Sequence, residues 1–227
     1  MPEGFEEVEG DAWVELAAYV DEEGEARVLA AFGEAASKAF AQGWEDRWRD
    51  FHRPVRAGGL WIGPPWETPP AAESCVVLDP GRAFGTGSHP TTRLCIDLLA
   101  RSERGSVLDA GCGSGVIAVA AARLAFEPVF AIDLDPTAVD VARETVRRNR
   151  VEVEVHRADV LRDELPQVDL VVANIELRAV EALLARRLAA CAITSGYLAH
   201  EGPEVPDWER ADRLELDGWA ADLLLAG

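Results

Sequence analysis

From about residue 72 onward, apolar residues fall in short blocks that alternate between two periods. Ser106–Asp109, Val129–Ile132, Val153–His156, Val168–Ala173 and Ile193–Leu198 are compact β-branched or apolar runs, each read as a strand. Between them, residues 114–125, 136–149 and 176–190 carry apolar positions at helical spacing, and Asp135-Pro136 supplies a cap and a first-turn proline for the second. A strand at Cys75–Asp79, a glycine-rich loop and a helix over about Pro90–Ser102 come first. This rhythm predicts an α/β fold with a Rossmann-like, doubly wound, mostly parallel sheet. The tail differs: Arg213–Leu216 and Trp219–Leu225 flank Asp217-Gly218, the signal of an antiparallel hairpin.

The first part of the chain is less regular. Residues 1–11 are acidic and read as a frayed end, Trp13–Val20 as a strand and Asp21–Phe40 as a helix. Gly43–Phe51 reads as a second helix, with Trp44 and Trp48 one turn apart on a face suited to a core or docking contact. Residues 54–80 hold six of the thirteen prolines and read as a connector, with at most a short edge strand near Leu60–Ile62. The expected organisation is a small α/β segment over 1–42, a linker helix and Pro-rich connector over 43–71, and a main domain over 72–227.

Composition narrows the function classes. The 227 residues are 48% hydrophobic and 28% charged, enough for one full domain and a small appendage. Lys and Arg number 22 against 41 Asp and Glu, a net charge of −19. Such a field repels nucleic-acid backbones, so no direct nucleic-acid binding is expected, and it attracts a basic protein or a cationic small molecule. Cys75, Cys95, Cys112 and Cys191 are scattered with no paired spacing, which predicts reduced thiols in the cytoplasm and no metal site. No run reaches the about 18–20 apolar residues of a membrane span. The acidic start is unlike a signal peptide.

The candidate chemistry begins at Val107-Leu108-Asp109-Ala110-Gly111-Cys112-Gly113-Ser114-Gly115. A buried strand there enters a turn with glycines at alternate positions, where a ligand can approach the backbone and a helix start offers free N–H groups. At the end of the next strand stands Asp133, whose carboxylate can accept both hydroxyls of a ribose. A dinucleotide turn would need glycine at 116, where Val116 stands, and the charge of Asp109 disfavours a pyrophosphate. S-adenosylmethionine carries no phosphate, and its ammonium group can be attracted by Asp109, directly or through water. Two further clusters are Asp79–Thr92, a glycine-rich loop with hydroxyl residues at a helix start, and Asp169–Ile175, which ends a strand on Asn174.

Together these clusters resemble the family of methyltransferases that act on large-subunit ribosomal protein eleven. The family's Phe-Gly-Thr-Gly, variable residue, His, variable residue, Thr-Thr pattern stands intact as Phe84 to Thr92. The glycine turn, Ile132-Asp133-Leu134-Asp135-Pro136, Ala173-Asn174-Ile175 and Thr194-Ser195-Gly196-Tyr197-Leu198 match in order and spacing, and Trp44–Pro54 resembles the family's linker helix. The likeness spans about residues 43–227.

The resemblance implies a class I S-adenosylmethionine-dependent methyltransferase acting on an amine nitrogen, a lysine or α-amine of a ribosomal protein. It implies that Thr92, Gly111, Asp133 and Asn174 contact the cofactor, that Thr86 and Gly113 line the same cavity, and that Asp159 sits beside the adenine. Asn174 would also orient the amine, and His89 is a candidate for its proton acceptor. Two departures bear on the substrate. About 42 residues precede the linker helix, so the small substrate-recognition domain is expected to be reduced, and Pro203 and Pro206 stand where a full helix is expected. Rival readings are therefore a methyltransferase for another protein or small-molecule amine, and a non-catalytic partner protein that keeps the cofactor pocket. The oligomeric state is left open.

Overall fold

The computed structural model describes residues 5–10, 13–18, 53–71, 74–79 and 87–227. The helices expected over 21–40 and 43–51, with Trp44 and Trp48, lie outside the described residues. The chain divides into two compact units, Met1–Trp48 and Arg49–Gly227. In the first, β1 (Phe5–Gly10) pairs antiparallel with β2 (Trp13–Ala18), Gly10 opposite Trp13. The acidic stretch read as frayed thus contains a strand, because pairing overrides its weak local preference.

The second unit is built on a seven-stranded sheet. Its parallel strands are β6 (Val107–Ala110), β7 (Val129–Asp133), β8 (Glu154–Arg157), β9 (Leu170–Asn174) and β10 (Cys191–Leu198). A hairpin of β11 (Trp208–Leu216) and β12 (Trp219–Ala226) closes one side. The order is β11-β12-β10-β9-β6-β7-β8, with β12 antiparallel to β10. The chain winds outward from β6 through β8 and then returns to β9 on the other side, so β6 and β9 flank the switch point.

Side chains alternate across this sheet as the two-residue period requires. Val107, Val129, Ala131, Leu170, Val172 and Ile193 pack with α1 (Pro90–Arg101), α2 (Val116–Arg123) and α3 (Pro136–Asn149). Leu108, Ala110, Ile132, Val171 and Ala173 pack on the other face with α4 (Leu177–Leu184). Asp135 caps α3 by accepting the Thr137 N–H at 2.8 Å, with Pro136 in the first turn as expected. The fourth helix is shorter than its apolar pattern, for it ends at Leu184 and Arg187 takes a left-handed φ of 52°.

The proline-rich segment corrects the sequence reading. It forms β3 (Val55–Ala57) and β4 (Leu60–Gly63), which pair antiparallel, and β4 pairs in parallel with β5 (Cys75–Val77). The Cys75 strand therefore belongs to a second, three-stranded sheet and not to the main one. Gly58 and Gly59 make the tight hairpin turn, both with positive φ (58° and 77°). Leu60, Ile62, Val76 and Leu78 bury this small sheet against the helical layer. Asn149, at the end of α3, fastens it: Oδ1 accepts the Val77 N–H at 2.7 Å and Nδ2 donates to the Val77 carbonyl at 2.7 Å.

The C-terminal hairpin is held by buried polar groups. Asp222, with no exposed side-chain surface, accepts the Tyr197 hydroxyl at 2.9 Å and Arg213 Nη1 at 3.2 Å. Arg213 also donates to the carbonyls of Ala199 and Glu201, each at 2.7 Å, so one guanidinium joins β11, β12 and the turn after β10. Removing the carboxylate would take the buried counter-charge from Arg213 and Arg210 and one hydrogen bond from the Tyr197 hydroxyl, which keeps Thr194. Asp222→Ala is expected to lower unfolding free energy by about 3–5 kcal/mol in urea titration, and Tyr197→Phe by only about 1 kcal/mol.

Candidate cofactor site at the carboxyl edge of the sheet

The carboxyl ends of β6, β7, β8 and β9 bring Gly111, Gly113, Asp133, Asp159 and Asn174 to one edge. After Ala110 the chain turns through Gly111, Gly113 and Gly115, with φ of 77°, 51° and 78°. The Gly111 and Cys112 N–H groups both donate to the Ile132 carbonyl, at 2.8 and 3.0 Å. Gly113 N–H donates to Asp133 Oδ2 at 2.9 Å, and Asp133 Oδ1 accepts the Asp135 N–H at 3.0 Å. Glycine turn and acid are thus hydrogen-bonded to each other, and the acid keeps its remaining lone pairs for further donors. A Cβ on Gly111 would stand 2.4 Å from Ile175 Cγ2, so the turn admits no side chain there.

Asn174 ends β9 and Thr92 lies in the first turn of α1. Asn174 Nδ2 donates to Thr92 Oγ1 at 3.4 Å, which joins residues 82 positions apart in the chain. Asp159 follows β8 and is occupied by its own turn, where Oδ1 accepts the Leu161 N–H at 2.9 Å. The preceding Ala158 N–H donates to the Asp133 carbonyl at 3.1 Å, so this turn is tied to the acid's main chain. Thr86, with the loop from Pro80 onward, lies outside the described residues.

Asp109 has a structural partner that the sequence reading did not foresee. It is only 2% exposed, and its Oδ2 accepts the Ala118 N–H at 3.0 Å. Gly115 precedes α2 without a side chain to cap it, and Asp109 supplies the missing acceptor from the strand. Burial raises its carboxyl to about 7; the Ala118 bond opposes this and the charge of Asp133 adds to it.

His89 is the N-cap of α1. The Thr91 backbone N–H can only donate, and it reaches His89 Nδ1 at 3.4 Å, with the Thr91 hydroxyl at 2.7 Å from the same atom. Nδ1 accepts at the cap, so that nitrogen is engaged there. Burial also lowers the ring's pKa. The expectation that His89 accepts the proton of a reacting amine therefore lacks geometric support. Burial pushes the Cys95 and Cys112 thiols up, with Asp109 adding to it, which removes them as nucleophiles at neutral pH. All four cysteines are free, and among the described residues no His, Cys, Asp and Glu group could hold a metal. No helix among them is long and apolar enough to cross a membrane.

Sequence reasoning names Ile175 and its neighbour Gly196 only as parts of family-like segments and gives neither a role at the site. A Cβ on Gly196 would lie 2.0 Å from the Ile175 carbonyl oxygen. A glycine inside the apolar run Cys191–Leu198 was the available signal.

The edge presents carboxylate acceptors and close main chain. A carboxylate closes one strand, backbone comes close at Gly111, and Asp109 and Asp133 place acid around the turn. The strand order, with its antiparallel last strand inserted beside β10, and this edge define a class I methyltransferase-like α/β fold. Within that class the chain belongs to the ribosomal protein L11 methyltransferase (PrmA) family, whose sequence model matches residues 9–218. It is 41% identical over 173 residues to the ribosomal protein L11 methyltransferase of Burkholderia cenocepacia (strain HI2424), covering 72% of this chain and 57% of that one. Its identity to the same-named protein of Dechloromonas aromatica (strain RCB) is 45% over 165 residues, covering 71% and 55%. The chain thus spans little more than half the length of these curated relatives. A crystal structure of ribosomal protein L11 methylase from Lactobacillus delbrueckii subsp. bulgaricus superposes with a TM-score of 0.70 at 25% identity, covering 77% of this chain and 99% of that one.

The buried Asp109 has a consequence for stability. The unfolded chain loses this proton near pH 4, while the folded chain keeps it to about 7. Between those values the unfolded state binds fewer protons, so this residue's contribution falls as pH rises and levels off above about 7. Asp109→Asn keeps an oxygen for Ala118 and removes the titration. Unfolding free energies from urea titrations at pH 4 to 8 should decline less in the variant, by an amount on the order of a few kcal/mol.

Proposed function

We propose that the protein is an S-adenosylmethionine-dependent N-methyltransferase, with lysine or α-amine groups of ribosomal protein L11 as its acceptors. The observation that carries this reading is the meeting of Gly111, Gly113, Asp133, Asn174 and Thr92 at one edge beside the switch point between β6 and β9. The family relationship supports it, and the names of the relatives supply the substrate. A ribosomal-protein substrate also puts the work in the cytoplasm. The net charge of −19 suits attraction of a basic protein.

Asp133 would accept the ribose hydroxyls, and Gly111 and Gly113 would admit the methionine part against main chain. Asp109 would act on that part through the turn it braces, Thr86 would line the cavity, and Asp159 would flank the adenine. Residues 72–227 would hold the cofactor and the chain ahead of them would serve the substrate. When bound, S-adenosylmethionine supplies an already activated methyl group, so the residues contribute position and charge more than acid–base work. Asn174 Nδ2 is directed to Thr92, and its Oδ1 can accept an N–H from a neutral amine and aim the nitrogen lone pair.

Incubation of ribosomal protein L11 with this protein and S-adenosylmethionine should yield mass increments of one or more methyl groups. An unmodified mass spectrum, with calorimetry that registers no cofactor heat, would overturn the reading. Asp133→Ala is expected to weaken S-adenosylmethionine binding by about 1–3 kcal/mol in calorimetry. Asn174→Ala should lower kcat more than it lowers cofactor affinity, and equal turnover would remove Asn174 from the mechanism.

A further inference from the structure

We propose that Gly196 is a positioning residue for methyl transfer: together with Gly111 it clamps Ile175 and so fixes the direction of Asn174. The inference rests on the function proposed above and adds to it a part played by β10.

The parallel ladder between β9 and β10 ends at the pair Asn174–Ser195. The next residues, Ile175 and Gly196, are the first beyond the ladder, where regular pairing stops. From there two glycines bound the Ile175 peptide by close approach. On one side, a Cβ at Gly111 would stand 2.4 Å from Ile175 Cγ2. On the other, a Cβ at Gly196 would stand 2.0 Å from the Ile175 carbonyl oxygen, 2.7 Å from its carbon and 3.1 Å from its nitrogen. Those three atoms are main chain, so no change of rotamer could relieve the clash. Gly196 also has φ of 102°, which L side chains rarely adopt.

Gly196 itself cannot give way. It is the irregular residue of a bulge, for the pairing of β10 with β12 shifts between Ser195 and Tyr197. Both flanks are pinned and buried: Ser195 Oγ donates to the Ala220 carbonyl at 2.6 Å, and the Tyr197 hydroxyl bonds Asp222 at 2.9 Å. The bulge is therefore a fixed wall against which the Ile175 peptide rests. The side-chain bond from Asn174 to Thr92, at 3.4 Å, is too long to orient the amide by itself. Orientation must come from the main chain, and the clamp supplies it.

The test compares Gly196→Ala, Ile175→Ala and Gly59→Ala with the parent, using ribosomal protein L11 and S-adenosylmethionine. Gly59 has a similar left-handed φ of 77° but nothing within 4 Å of an added Cβ, so it controls for backbone strain alone. Gly196→Ala is expected to lower kcat about 100-fold, the scale of a displacement near 1 Å, with cofactor Kd and L11 KM within about twofold of the parent. Ile175→Ala, which frees the Gly111 side of the clamp, should lower kcat about tenfold with the same split, and it decides the matter if Gly196→Ala does not fold. Gly59→Ala should keep the parent's kcat. Parent-like kcat in Gly196→Ala or, failing that variant, in Ile175→Ala overturns the clamp, as does a loss of cofactor affinity in step with kcat. An inactive parent overturns the function reading itself.

Discussion

The chain must pass from the last residue of β6 into the first turn of α2 within the stretch from Gly111 to Gly115, and the rest of the site follows from how it does so. Three residues there have positive φ, and at two of them the missing side chain makes room for a neighbour. At Gly111 it is Ile175 from the end of β9; at Gly115 it is Ala142 of α3, 3.0 Å from where a Cβ would lie. Gly113 turns its N–H to Asp133. The turn is thus registered against three elements at once, and their functional side chains inherit its position.

A turn without side chains leaves the start of α2 without a local acceptor. The fold answers with Asp109, placed in the strand before the turn and buried beneath it. The same logic recurs at the other side of the sheet, where Asp222 is buried among Tyr197, Arg213 and the hairpin's main chain. In both places a carboxylate in the interior is tolerated because its hydrogen bonds are made, and each fixes the geometry of a segment that packing alone would leave loose.

Much of this was legible in the sequence, for definite reasons. The inner parallel strands announce themselves because burial on both faces favours apolar runs, and Asp133 and Asn174 could be placed because they close such runs. The hairpin turn at Asp217-Gly218 was equally plain, yet β11 begins at Trp208 and not at Arg213. Its first residues, Glu209, Arg210 and Asp212, are charged because the strand lies at the sheet's edge, and an edge does not need apolar alternation. The three-stranded sheet was hidden by prolines that bound its strands without interrupting them. His89 shows a different limit: spacing locates a histidine beside a site, but only the bond from the Thr91 main chain says which nitrogen is committed.

The Asn149 amide joins the last turn of α3 to the three-stranded sheet. It meets Val77 as a neighbouring peptide would, offering an acceptor and a donor side by side, while Nδ2 also donates back to the Thr145 carbonyl within its own helix. Arg123 Nη2 in turn donates to the Asn149 carbonyl at 2.6 Å. A three-stranded sheet of this size has little cooperative existence of its own. By borrowing a ladder rung from the last turn of a helix, it melts when that turn melts, and β5 is anchored at Val77 by the same amide.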